Sequence, residues 1–176
     1  MKRVILLRHA SANNQKFNQK IDHEKPLDSV GENDCKNLSY WLKKSHIDID
    51  LVMTSNAKRA EQTSELVFSA LKVTVEKNAN LYLCSYEDIL SSLKKINEKL
   101  NNVVIVGHEP SISDTMRALV GSIRPDLEKG LHSLYLPCTM SFIFFNVKSW
   151  NDLKEKEGLL EGYLSPETLK MQNEKN

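Results

Sequence analysis

A chain of 176 residues has the length of one domain, and 40% hydrophobic with 27% charged residues is an ordinary globular composition that disfavours disordered, fibrous and repeat architectures. Lys and Arg total 24 against 23 Asp and Glu, so the net charge of +1 gives no global field toward nucleic acid or an acidic membrane, and any anion recognition must be local. No stretch approaches the ~18 apolar residues of a membrane span, and the run Val4 to Leu7 is too short for a signal-peptide core, so a cytoplasmic monomer is expected.

Arg3 to Arg8 is a short apolar run, the mark of a strand covered on both faces and thus of a parallel sheet. Ser11 to Lys25 is polar and reads as a loop. Ser29 and Glu32 offer a capping box, and Val30, Leu38, Trp41, Leu42 and Ser45 approximate one face of a helix over 30–44. A strand is expected over Asp50 to Thr54. From Asn56 to Lys72 the positions Ala60, Thr63, Leu66, Val67, Ala70 and Leu71 recur at helical spacing, with Ser55 as the N-cap. Val73 to Glu76 is a third candidate strand.

Ser85 to Asp88 caps a helix that turns Ile89, Leu90, Leu93 and Ile96 inward, and Val103 to Gly107 is the most strongly apolar strand. Pro110 suits the first position of the next helix, whose inner face is Ile112, Met116, Leu119 and Val120. Further on, Thr139 to Val147 is rich in aromatic and branched residues, and Gly158 to Leu164 predicts a final strand. Strands alternating with helices predict a three-layer α/β/α sandwich with a mostly parallel central sheet, a single domain over 1–169 and a polar tail over 170–176. Cys35, Cys84 and Cys138 are odd in number and far apart, so they are expected to be reduced thiols, mostly buried.

Three predicted strands end in polar residues of one kind: Arg8 and His9 after the first, Ser55 with Arg59 after the second, His108 after the Val103 strand. Ligands of open α/β sheets bind outside the carboxyl ends of the strands, so these residues can converge on one pocket. Such a pocket suits phosphate. Guanidinium forks hold phosphoryl oxygens, helix N-termini add dipoles, and an imidazole among them can attack phosphorus. A metal site built on the two histidines is the other reading of the pair, but no acidic or Cys partner stands at a comparable strand end. His23, His46 and His132 lack that context and read as structural or surface residues, and Trp41 and Ile143 to Phe145 read as core.

Leu6-Leu-Arg-His-Ala10 resembles the Arg-His signature of the histidine phosphatase (phosphoglycerate mutase-like) superfamily, and Thr54 to Thr63 is similar to its S-P-x-x-R-A-x-Q-T segment. Val106-Gly-His-Glu-Pro110 is similar to its second-histidine motif. Asp22-His-Glu-Lys-Pro-Leu27 with Gly31, and Ser165-Pro166 with Leu169, resemble motifs of the SixA-type phosphohistidine phosphatase branch. The resemblance implies a phosphoglycerate mutase-like fold and a phosphatase in which His9 becomes phosphorylated. It implies that Arg8 and Arg59 hold the phosphoryl oxygens and that His108 completes the pocket. Lys25 stands where that branch commonly has Arg and is a candidate phosphate contact, as are Ser55, Asn13, Ser11 and Asn14.

No cofactor or metal is expected, because Arg and His supply the positive charge that phosphoryl transfer needs. The candidate general acid is Glu109, which also suits a helix-capping role, with Glu87 and Asp88 as weaker candidates in the first turn of their helix. An alkoxide leaving group needs a proton, whereas the imidazole of phosphohistidine, with a conjugate acid of pKa ~6.5, leaves readily, so a poorly defined acid leans toward P–N cleavage. The expected substrate is phosphohistidine in a signalling protein such as a histidine-containing phosphotransfer domain. A small phosphorylated metabolite is the alternative substrate, and an inactive phosphoprotein-binding module is a more distant one.

Overall fold

The structure is a computed structural model that describes residues 1–13, 22–130 and 135–173. Asn14, His132 and the end of the tail at 174–176 lie outside the described residues. Seven strands form one mixed sheet: β1 (Lys2–Arg8), β2 (Leu51–Ser55), β3 (Thr74–Asn78), β4 (Asn102–Gly107), β5 (Val120–Ile123), β6 (Met140–Phe145) and β7 (Gly158–Leu164). Their order is β3-β2-β4-β1-β6-β7-β5. Neighbours among β1 to β4 run parallel, β5 runs parallel to β7, and β6 runs antiparallel to β1 and β7.

Among the described residues five helices cover the sheet: α1 (Ser29–Ser45), α2 (Lys58–Phe68), α3 (Tyr86–Leu93), α4 (Ser111–Leu119) and α5 (Pro166–Asn173). Side chains alternate across a strand, so a strand buried on both faces feeds two cores. On β1 and β4, Val4, Leu6, Val103 and Ile105 enter the core that also holds Ile89 and Leu93 of α3 and Ile112 and Met116 of α4. Ile5, Leu7, Val104 and Val106 enter the other, with Leu38 of α1, Val67 of α2 and Leu169 of α5. The expected three layers are therefore present. Truncating a fully buried member such as Ile5 to Ala is expected to cost about 2–5 kcal/mol, because the close-packed interior relaxes only in part.

Several boundaries fall elsewhere than the sequence pattern predicts. Asp28, not Ser29, caps α1, its carboxylate accepting from the Gly31 N–H at 2.8 Å. At Gly31 any Cβ would lie 2.1 Å from the Ser11 carbonyl oxygen, so only glycine lets α1 lie this close to the loop after β1. Ser55 belongs to β2 and Ala57 is the N-cap residue of α2, which is shorter at both ends than expected. Ile96 lies past the end of α3 yet is still buried. Pro110 is the N-cap of α4 instead of its first residue.

Val120, expected on the inner face of α4, begins β5, a strand whose pairing partner β7 is distant in sequence. Residues 170–173 of the expected polar tail continue α5. Ser165 starts that helix, its Oγ accepting from the Thr168 N–H at 3.2 Å, and Leu169 is buried.

Candidate active site

Because β1, β2 and β4 run parallel, their carboxyl ends lie along one edge of the sheet, and Arg8, Ser55 and Gly107 end adjacent strands there. The structure brings Arg8, His9 and Arg59 into one open cleft of about 290 Å³, together with Ser11, Asp22 and Lys25. His108 lies beside it, its ring centroid 5.1 Å from that of His9.

His9 is held by both ring nitrogens. Nδ1 lies 2.8 Å from the Ala10 carbonyl oxygen, which can only accept, so Nδ1 carries the proton and Nε2 keeps its lone pair. Arg59 Nε donates to that lone pair at 3.3 Å. The loop backbone is fixed in turn, since the Ala10 N–H donates to Thr63 Oγ1 at 3.0 Å and the Cys138 N–H donates to the carbonyls of Arg8 and His9. Burial pushes the His9 imidazole down to about 4, assisted by Arg59 and Arg8 and opposed by the Ala10 bond, so the ring is neutral at pH 7. His108 is pushed down to about 3, by burial first and then by His9 and Arg59.

The guanidiniums are anchored from behind. Arg8 Nη1 donates to the Tyr135 carbonyl at 2.6 Å. Arg59 donates through Nη1 to the Asp22 carbonyl at 2.7 Å and through Nη2 to Asp22 Oδ2 at 3.1 Å. Among the described residues Arg8 Nε and His108 Nδ1 are buried without a hydrogen-bond partner. Such orphaned donors and acceptors are costly in a finished core, and here they sit where a phosphoryl group would be held.

Two expected phosphate contacts are placed differently. Ser55 is wholly buried, its Oγ 2.8 Å from His108 Nε2 and accepting from the Ala57 N–H, so it orients His108 and does not line the cleft. Asn13 donates its backbone N–H to the Pro26 carbonyl and is not among the residues lining the cleft. Lys25 does line the cleft, where it pairs with Asp22 Oδ1 at 2.9 Å, and Ser11 donates to Asp28 at 2.7 Å.

Glu109 accepts from the Ser113 N–H and Oγ at 3.2 and 2.7 Å, which is the work of a helix-capping carboxylate. Asp88 closes the capping box of α3 with Ser85, and Glu87 stands exposed beside it. Among the described residues no group of three or more His, Cys, Asp or Glu could hold a metal ion.

Three side chains at the site were not singled out from the sequence. Asp22 takes bonds from Lys25, Tyr82 and Arg59, which hold its carboxyl well below the usual range. Tyr82 packs edge-on against His108, with ring centroids 5.4 Å apart, and its phenol is pushed up by burial and by Asp22. Tyr135 supplies the carbonyl that holds Arg8 and donates its hydroxyl to the Leu6 carbonyl. His23, read as structural, bonds Asn56 Oδ1 at 3.0 Å and packs edge-on against Tyr82.

The family model of the histidine phosphatase superfamily (branch 1) matches residues 4–89, the stretch that contains Arg8, His9, Asp22, Lys25 and Arg59. An uncharacterised protein of Mycobacterium leprae is 31% identical over 101 residues, covering 57% of this chain and 62% of that protein. Phosphohistidine phosphatase SixA of Escherichia coli K12 is 27% identical over 113 residues, 62% of this chain and 68% of that protein.

Among solved structures, SixA of Agrobacterium tumefaciens superposes with a TM-score of 0.78 at 22% identity, covering 94% of this chain and 98% of that one. The α-ribazole-5′-P phosphatase of Escherichia coli K-12 superposes with a TM-score of 0.69 at 18% identity, over 94% and 98%. The family model covers a little under half of the chain, and the solved structures share its three-layer fold. No helix among the described residues is long and apolar enough to cross a membrane.

Proposed function

We propose that the chain is a phosphatase acting through a covalent phosphohistidine on His9, and that its substrate is phosphohistidine in a signalling protein such as a histidine-containing phosphotransfer domain. The observation that carries the first part is the state of His9: neutral, with Nδ1 tied to the Ala10 carbonyl and Nε2 facing Arg59. A lone pair fixed in direction beside two guanidiniums is a nucleophile prepared for a phosphoryl group.

In the first step Nε2 forms a bond to phosphorus as the bond from phosphorus to the substrate nitrogen breaks, and the substrate imidazole, already protonated on its other ring nitrogen, leaves neutral with the electron pair. Arg8, Arg59 and the open Nδ1 of His108 face the charge spread over the phosphoryl oxygens. In the second step a water oxygen attacks phosphorus, Nε2 leaves with its pair of electrons, and inorganic phosphate departs. These side chains supply the positive charge for both steps and the nucleophile for the first.

The substrate assignment is supported by the relation to SixA and by Glu109. With its carboxylate engaged by Ser113, Glu109 is poorly placed to protonate an alkoxide, whereas imidazole leaves without such help. The test is a rate comparison between a phosphorylated histidine-containing phosphotransfer domain and a panel of alkyl phosphomonoesters. The proposal expects the phosphoprotein to have the higher kcat/KM by about 10² or more, on the leaving-group argument. A higher kcat/KM on an alkyl metabolite phosphate would replace this substrate with a small molecule.

A further inference from the structure

Next to the phosphate cleft, at His108, a second opening of about 500 Å³ is lined by Leu83, Tyr86, Glu87, His108, Glu109 and Asp114 among others. It is larger than the cleft, at about 500 against 290 Å³, and opposite in charge. Three carboxylates and no Lys or Arg line it, whereas Arg8, Arg59 and Lys25 line the cleft. Arg117 reaches Asp114 at 3.0 Å from the next turn of α4 and Arg8 in the cleft feels the charge of Glu109, while Glu87 stands exposed on the groove wall.

His108 lines this opening and stands with its ring centroid 5.1 Å from that of His9 in the cleft. It is 4% exposed, and its Nδ1 has no hydrogen-bond partner. At the lip stands Leu83, 76% exposed and the most exposed large hydrophobic residue among those described. Its φ of 52° lies in the left-handed region that leucine avoids. Folding gains nothing from an apolar side chain held in solvent by an unfavourable backbone.

We propose that this groove receives the stretch of a phosphoprotein flanking the phosphorylated side chain, with a lysine or arginine laid against Glu87, Glu109 and Asp114 and an aliphatic side chain against Leu83. The inference rests on the reading of the site as a protein-phosphohistidine phosphatase and adds what selects the protein. A phosphoryl group seated between Arg8, Arg59 and His9 leaves its carrier to emerge past His108, and the charge there favours a cationic flank. A metabolite carrying a second anionic group meets the carboxylates instead.

Two synthetic phosphohistidine peptides test this, one flanked by Lys and Leu and the other by Glu and Ser, with p-nitrophenyl phosphate as the small control. The ratio of kcat/KM between the peptides is taken within each protein, so that any loss common to both cancels. The wild type is expected to favour the Lys/Leu peptide about tenfold, a preference that shrinks with added salt. Glu87→Lys combined with Asp114→Lys should bring the ratio to one or below, and Glu87→Lys alone, at an exposed position, should move it the same way.

Leu83→Asn, which suits a left-handed backbone better, should keep or raise Tm while raising KM for the Lys/Leu peptide. A wild-type ratio near one, or a ratio untouched by the charge reversals, would overturn the groove and leave the phosphohistidine reading standing. If neither peptide turns over while p-nitrophenyl phosphate does, the phosphohistidine reading fails and the groove's occupant fails with it.

Discussion

Strand β1 begins and ends in a cation, and the two ends differ in how the charge is met. Lys2, 1% exposed, donates to the carbonyls of Glu98 and Leu100 at 2.7 and 2.9 Å, pairs with Glu98 Oε2 at 3.3 Å and lies 5.2 Å from the centre of the Trp150 ring. Its ammonium is thus surrounded by partners. At the other end Arg8 keeps a buried Nε without a partner, and so does Nδ1 of His108 nearby. A buried charge that serves only the fold is met on all sides, because an unmet polar group costs about 1–3 kcal/mol. Polar atoms left open at the carboxyl edge of the sheet are arranged for a group that arrives later.

The contrast is broken most directly at His9. Its replacement by alanine removes the imidazole that faces the two guanidiniums, while the Ser11 hydroxyl is committed to Asp28 and Lys25 and Asp22 to each other, so turnover of p-nitrophenyl phosphate should fall to background while the protein still melts cooperatively. Arg8→Ala, Arg59→Ala and His108→Ala come next, each expected to lower kcat/KM by about 10² or more as a preorganised charge partner is lost. If only one of the three mattered, the strands would not share a pocket.

Lys2→Met should do the opposite of these. It should leave kcat/KM unchanged within about twofold and lower stability by about 1–3 kcal/mol, a few degrees in Tm, because it strips the donor from the Glu98 and Leu100 carbonyls at the end of β1 opposite the cleft.

Protonation sharpens the same distinction. The fold holds His9 and His108 neutral, at about 4 and about 3 against an ordinary 6.5. As pH falls below about 7 the unfolded chain takes up protons that the folded chain refuses, so stability is complete above that pH and declines toward pH 3. Tm followed from pH 7.5 to 4.5 should fall less in a His9→Ala, His108→Ala double variant than in the wild type. An equal fall in both would show that neither ring is held neutral. Among the variants at the site the smallest effect is expected from Glu109→Gln, a loss below about tenfold on p-nitrophenyl phosphate, since the amide still accepts from Ser113.

What the sequence disclosed and what it hid divide along similar lines. Arg8, His9, Arg59 and His108 were legible because each stands within a few residues of the end of an apolar strand, and parallel strands bring such ends together. Asp22, Tyr82 and Tyr135 were not, because their roles depend on contacts across 37, 60 and 127 residues of chain that no local spacing encodes. Ser55 was found at the right place with the wrong partner: a hydroxyl at a strand end can face a ligand or a neighbouring ring, and only packing decides that it meets His108.

The fold followed the same rule. The doubly buried strands β1 and β4 read clearly, whereas β5, four residues long and paired only with distant β7, was absorbed into the helix before it. The cap of α1 moved by one residue because Asp28 and Ser29 are both competent caps, and the Ser11 contact favours Asp28.

The central claim is that His9 carries the phosphoryl group between substrate and water. It is met most directly by rapid acid-free quenching of the wild-type enzyme during turnover of ³²P-labelled phosphohistidine protein, followed by mapping of the label. The account predicts label on Nε2 of His9, stable to base and lost in acid, that forms and decays at rates consistent with turnover and is absent from His9→Ala. Turnover with inversion at phosphorus and no labelled enzyme at any time would mean direct attack by water, and would contradict it.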